Sequence, residues 1–155
     1  MEWLVGGAVG QEEEKPGTVT GLGGWVPKKE ASIYVGSAGT AALFVSVYLG
    51  VSHGIYHLDA SSQMRRRPMA PLLSVLEALG CRVRCEQEEG HFPFTLTSNG
   101  FATARMTVDI TDSRQFLSAV LTAAALAPED IELQVTGSHV VPYMPFTATM
   151  MDPSQ

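Results

Sequence analysis

The sequence predicts an α/β fold in which helices pack on a mixed sheet. The first observation behind this is patterning. From Ser32 onward, apolar segments of helical length take turns with short stretches of alternating polar and apolar residues. The second is an internal repeat, because the order helix, strand, irregular loop, proline, helix occurs twice. The third is composition: 155 residues, 45% hydrophobic and 17% charged, can bury one ordinary globular core or form part of a larger one.

Residues 1–30 are rich in Gly, Glu and Lys, with a short strand expected at 18–20 before Gly21-Leu22-Gly23-Gly24. Residues 33–35 form an extended piece. Residues 40–49 are an apolar helix expected to be buried on most faces. Residues 54–59 alternate as a strand. An amphipathic helix is predicted over 69–79, opened by Pro68 and stopped by Gly80. Strands follow at 82–86, 94–97 and 105–110. A second largely apolar helix spans 113–126 and ends near Pro128. Residues 130–136 alternate as a strand, and 143–151 form a short final helix. Within the repeat Thr40 corresponds to Ser113 and Pro68 to Pro142, so each copy sets a glycine- or serine-opened helix beside a proline-opened one. The second copy lacks the strands that follow the last helix of the first, and the chain is therefore expected to be a portion of a longer design.

Several function classes are disfavoured by the same residues. The formal net charge is −6, half of it from Glu12-Glu13-Glu14, which argues against broad nucleic-acid binding. No apolar run approaches the roughly 20 residues of a membrane helix; 44–51 is too short. Met1-Glu2-Trp3-Leu4-Val5 has neither the basic nor the long apolar region of a signal peptide, so a cytoplasmic protein is expected. Cys81 and Cys85 sit on one strand, about 13 Å apart, too far for a disulfide; both are expected as small core residues. His53, His57, His91 and His139 show no ligand spacing, so no metal and no cofactor are expected.

Chemistry is suggested by two helix starts. Gly36-Ser37-Ala38-Gly39-Thr40 opens one helix and Asp112-Ser113-Arg114-Gln115 the other. Unpaired N–H groups and the helix dipole make such ends attractive to phosphates and carboxylates, and small residues leave room for close approach. Arg65-Arg66-Arg67 precedes Pro68, and Arg114 lies in a first turn. A cation there opposes the dipole by roughly 0.3–1 kcal/mol, a term that a bound anion reverses. Arg67 abuts the helix start and is the arginine expected to touch an anion, with Arg65 and Arg66 in solvent. Ser113 reads equally as a cap and as a ligand contact. Gln115, on an apolar helix, needs a hydrogen-bond partner. Tyr143 follows Pro142 and reads as an amphipathic core tyrosine. The whole site requires the Gly39 and Ser113 helix ends to converge.

These residues carry a family resemblance. Residues 33–41, with Gly36-Ser37-Ala38-Gly39-Thr40-Ala41, resemble the "NAGTA" segment of 3-phosphoshikimate 1-carboxyvinyltransferase, or EPSP synthase. Met64-Arg65-Arg66-Arg67-Pro68-Met69 resembles its "RMxxRPI" segment, and Ser113-Arg114-Gln115-Phe116-Leu117-Ser118-Ala119 its "SSQFLSA" segment. Thr136-Gly137-Ser138-His139 with Pro142-Tyr143 resembles a later loop and "PYI" element. The likeness covers 18–152 and leaves 1–17 as an undefined N-terminal segment. The RNA 3′-phosphate cyclase and UDP-N-acetylglucosamine enolpyruvyltransferase share the architecture but fit these motifs less well.

The resemblance implies repeated βαβαββ units forming part of one inverse-barrel-like lobe. It implies transfer of the enolpyruvyl group of phosphoenolpyruvate to the 5-hydroxyl of shikimate 3-phosphate, with release of phosphate. Gly39 and Thr40 would lie at the phosphoenolpyruvate and glyphosate position, and Arg67 would clamp phosphoenolpyruvate. Ser113, Arg114 and Gln115 would hold shikimate 3-phosphate, with Tyr143 near the same phosphate. Departures accompany these matches. Leu43 stands where the family has an arginine, Arg114 where it has a serine, Pro145 where an aspartate often follows the tyrosine, and Val140-Val141 where many members carry Ser-Lys. The N-terminal phosphate loop and the opposite lobe have no counterpart. The isolated chain is therefore expected to lack turnover, with a non-catalytic anion-binding module or an inert structural fragment as alternatives. A complementary lobe, or self-association through an exposed sheet edge, is expected as its partner.

Overall fold

The computed structural model describes residues 26–101, 105–109, 114–127 and 131–136. The elements expected at 18–20 and 143–151, with Ser113 and Tyr143, lie outside these residues. In chain order the described elements are β1 (Glu30–Tyr34), α1 (Gly39–Val51), β2 (His53–Asp59), α2 (Ser62–Arg65), α3 (Ala70–Ala78), β3 (Arg82–Cys85), β4 (Phe94–Asn99), β5 (Arg105–Asp109), α4 (Arg114–Ala124) and β6 (Glu132–Thr136).

The first four strands form one mixed sheet in the order β1-β2-β4-β3, and β5 pairs with β6 in a second. Strands β1 and β2 run parallel, as a helical crossover requires, with Ile33 opposite Leu58 and Tyr34 opposite Asp59. Strand β4 runs antiparallel to both β2 and β3. Setting aside the one-turn α2, the order β1-α1-β2-α3-β3-β4 is a complete βαβαββ unit. Strands β5 and β6, also parallel, begin a second unit around α4. The mixed sheet inferred from the sequence is therefore present, and the repeat with it as far as its βαβ part; the proline-opened helix expected in the second copy lies outside the described residues.

Alternation decides which sheet face is covered. Ile33, Tyr56, Leu58, Phe94 and Leu96 point inward and are buried. On the opposite face Tyr34 and Ile55 are exposed. Helix α1 lies over the inner face and also packs on α4, sharing a core with Phe116, Ala119, Val120 and Ala123. This double contact explains why α1 is apolar nearly all round: Ala42, Leu43, Ser46, Val47, Leu49, Gly50 and Val51 are all buried.

A knot of polar groups fixes the C-terminal end of α1, where the last carbonyls of a helix lack internal partners. The Ser52 hydroxyl reaches Leu49 O at 2.6 Å and Tyr56 Oη at 2.9 Å. The buried Ser98 hydroxyl of β4 sits between Gly50 O and Ser52 O, the latter at 2.9 Å. Tyr56 Oη in turn donates to Lys28 O at 3.2 Å. With its far end pinned to two strands, α1 presents its N-terminus at a set place.

Some details differ from the sequence reading. Strand β1 begins at Glu30, three residues before the expected extended piece, because Glu30, Ala31 and Ser32 already pair with Ile55, Tyr56 and His57. Helix α3 does not begin directly after Pro68. Met69 donates its N–H to Gly90 O at 2.7 Å and stays outside the helix, and the first-turn proline is Pro71. Helix α2 was not foreseen; four residues carry too little periodicity to be seen. Strand β4 runs two residues further than expected, because Ser98 and Asn99 still pair with Gly54 and His53. Cys81 and Cys85 are both free thiols, with Cys81 buried beside Gly50 O. Burial pushes the Cys81 thiol above its ordinary value, against its hydrogen bond with Ser98 Oγ, which acts the other way, so it serves as packing.

Candidate anion-binding site

The site grows from the carboxyl ends of the two parallel strands, the edge where ligands collect in open α/β sheets. Tyr34 and Asp59 are the last residues of β1 and β2 and stand opposite each other. The Val35 N–H extends the pairing to Asp59 O at 2.9 Å. From β1 the chain turns through Gly36, whose φ of 59° suits glycine, and enters α1 at Gly39. Ala38, the residue before the helix, supplies no side-chain cap, and the first turn holds no acidic residue. The positive end of the α1 dipole thus meets no anion from its own cap or first turn.

From β2 the chain turns through Ala60 and Ser61 into α2. Ser61 caps that helix by accepting from the Met64 N–H at 3.3 Å. It also ties the two turns together: its N–H donates to Gly36 O at 3.0 Å, and its hydroxyl meets that of Ser37 at 2.7 Å. The three consecutive arginines then diverge. Arg65 binds the Asp59 carboxylate with two nitrogens, Nε at 2.9 Å and Nη2 at 2.7 Å. Arg66 is exposed. Arg67 reaches the start of α1, where a Cβ built on Gly39 would stand 3.2 Å from its Nη1. Solvation was expected of both Arg65 and Arg66; for Arg65 it is corrected, because the carboxylate that closes β2 lies within reach.

Burial alone would raise the Asp59 pKa, but the Arg65 hydrogen bonds, the Ala60 N–H, and the Arg65 and His57 charges outweigh it and hold the carboxyl below its ordinary 3.8. A depressed carboxyl stabilises the fold above its unfolded pKa, and that contribution is lost as pH falls through the folded value. We therefore expect the thermal midpoint to fall on acidification below about pH 4, with a shallower fall in the Asp59→Asn chain. Equal slopes in the two chains would show that the pair carries no linkage. Asp59 and Arg65 are each about a quarter to a third exposed, so the effect is modest.

Gly39 and Arg67 are thus brought together, with Thr40 exposed in the same first turn. Leu43 points from the next turn into the core and is 7% exposed. Arg114 and Gln115 open α4, which packs on α1 through later residues. The expected meeting of the two helix starts turns on Ser113, and with Tyr143 it falls outside the described residues. Among the described residues no three His, Cys, Asp or Glu side chains are grouped as a metal would need, and no helix is long and apolar enough to cross a membrane. Sequence reasoning missed the Asp59–Arg65 clamp and the Ser37–Ser61 bridge. The serine before a short polar run was the one signal available, as an N-cap.

The family model of EPSP synthase (3-phosphoshikimate 1-carboxyvinyltransferase) matches residues 6–153. The chain belongs to this family. A 3-phosphoshikimate 1-carboxyvinyltransferase of Nostoc punctiforme is 37% identical over 134 residues, 86% of this chain and 32% of the relative. That of Opitutus terrae is 36% identical over 125 residues, 80% of this chain and 29% of the relative. The chain therefore spans about a third of the length of these EPSP synthase relatives. Among solved structures, EPSP synthase from Acinetobacter baumannii superposes with a TM-score of 0.59 at 20% identity, covering 71% of this chain and 25% of that one. At that identity the likeness speaks for the fold, and the fold it supports is the EPSP synthase arrangement of βαβαββ units.

Proposed function

We propose that this chain supplies one wall of the substrate cleft of an EPSP synthase, and that alone it binds anionic substrate without turning it over. The observation that carries the reading is Arg67 standing over Gly39 at an uncapped helix start. A guanidinium and a row of free amides converge there, which suits the carboxylate and phosphate of phosphoenolpyruvate. On this reading Gly39, Thr40 and Arg67 take phosphoenolpyruvate. Ser113, Arg114, Gln115 and Tyr143 take shikimate 3-phosphate. Enolpyruvyl transfer to that acceptor then needs groups on both sides of the reacting carbon, and a single wall leaves it open to water.

The test is calorimetric titration of the full chain with phosphoenolpyruvate and with shikimate 3-phosphate, alongside an assay for released phosphate. Binding heat without phosphate release is expected. Absence of heat at millimolar ligand would remove the anion-binding role. One observation favours a second reading, in which the chain has lost the chemistry altogether. Leu43, at the position where the family resemblance calls for an arginine, is packed into the core, so the site has one cation fewer. Supplying the remaining lobe as a separate polypeptide separates the two, since only the first reading expects turnover to appear.

A further inference from the structure

We propose that Asp59 is a positioning residue for the anion site: its two-point grip on Arg65 holds helix α2 so that Arg67 stands over Gly39. The proposal rests on the anion-binding reading above but concerns a residue with no place in it. Asp59 is well suited to act as a fixed post. Its backbone carbonyl accepts the Val35 N–H, which anchors it to the end of β1. Its carboxylate accepts three donors, from Ala60 N–H at 2.7 Å and from Arg65 Nε and Nη2 at 2.9 and 2.7 Å. A planar guanidinium held by two parallel bonds has its orientation fixed as well as its distance, so the whole turn between the two residues is closed.

Helix α2 is then tied at three separate points. Arg65 holds it to Asp59. Ser61 holds its start to the turn before α1, through Gly36 O and Ser37 Oγ. Met64, 3% exposed, sinks into the core beneath Gly39, where its Cε would lie 4.0 Å from a Cβ on that glycine. Arg67 leaves from the end of this fixed turn with its N–H bonded to Met64 O at 3.0 Å. An arginine on an untethered loop would lose rotamer entropy on engaging a ligand; one aimed in advance loses less.

The full chain, Asp59→Asn, Arg67→Ala and the double variant would be compared in two ways. In ligand-free NMR spectra the wild type is expected to show proton contacts between Gly39 Hα and the Arg67 guanidinium Hη protons, whose Nη1 stands at Gly39, and Asp59→Asn to lose them while keeping its fold. In titrations with phosphoenolpyruvate, Asp59→Asn is expected to bind about tenfold more weakly, the scale seen when a group that orients a ligating side chain is removed. The double variant is expected to bind no worse than Arg67→Ala alone, because Asp59 acts only through Arg67. Persistence of the Gly39–Arg67 contact in Asp59→Asn would overturn the proposal, as would a tenfold loss that survives in the Arg67→Ala background. If Asp59→Asn fails to fold, Arg65→Lys keeps the charge, removes the two-point geometry, and is expected to lose the same contact. Failure of the wild type to bind phosphoenolpyruvate would strike the functional reading, and the ligand-free contact would still decide this one.

Discussion

A Gly54→Ala chain is expected to melt roughly 6–12 °C below the wild type, the shift that about 3 kcal/mol produces in a domain of this size. Gly54 lies near the start of β2, where the chain before β1 crosses it. A Cβ there would collide with the carbonyl oxygen of Lys29, and would lie 2.5 Å from Tyr56 Oη and 2.7 Å from Tyr56 Cζ. None of these atoms can give way cheaply. Lys29 O already accepts the Ile55 N–H at 2.7 Å, which secures the first rung between the two strands. Tyr56 is fully buried, and its hydroxyl is held by Ser52 and Lys28. The backbone must therefore move, and the knot that pins the end of α1 moves with it. Thermal unfolding followed by circular dichroism measures the shift; a midpoint within a degree or so of the wild type would contradict this packing.

Arg67→Ala is expected to weaken phosphoenolpyruvate binding by about 10- to 150-fold, which corresponds to the 1.5–3 kcal/mol of a hydrogen bond to a charged group. Its thermal midpoint should stay close to the wild type, because Arg67 is exposed and its loss opens no cavity. Gly39→Ala offers an independent check on the same geometry. The added methyl would lie 3.2 Å from Arg67 Nη1, a flexible side-chain end that can step aside. Stability is then kept, and alanine is the better helix former, yet the guanidinium and the first amides of α1 are pushed apart and occupied by carbon. Titration should show weakened phosphoenolpyruvate binding in Gly39→Ala, with a normal melt. Full affinity in both variants would place the anion elsewhere on the chain.

Much of the architecture was legible from local pattern. Helix α1 was visible because its apolar run begins after a glycine and a small-residue turn. Strands β2 and β4 were visible because alternation of period two is a short-range signal. The repeat of helix, strand and second helix pointed to helices on a mixed sheet, and the family resemblance implied the βαβαββ units. The motifs around Gly39, Arg67 and Ser113 carried the family, and the match to EPSP synthase agrees. The start of α3 was misplaced because Pro68 and Pro71 are both acceptable helix openers locally. What decides between them is Gly90, distant in sequence, whose carbonyl takes the Met69 N–H.

The arginine triplet marks the boundary most clearly. By itself the sequence determined that three cations stand between a strand and a helix, and that a glycine opens an apolar helix elsewhere. Arg66 faces water as the sequence led one to expect, but only the tertiary structure decided that Arg65 belongs to Asp59 and that Arg67 belongs to Gly39. The reason is physical. In a helix or strand a fixed period assigns neighbours, whereas in an irregular turn the partner of a long charged side chain is chosen by the path of the backbone. That path is set by contacts such as the Ser37–Ser61 bridge and the burial of Met64, which bring together residues that no spacing rule connects.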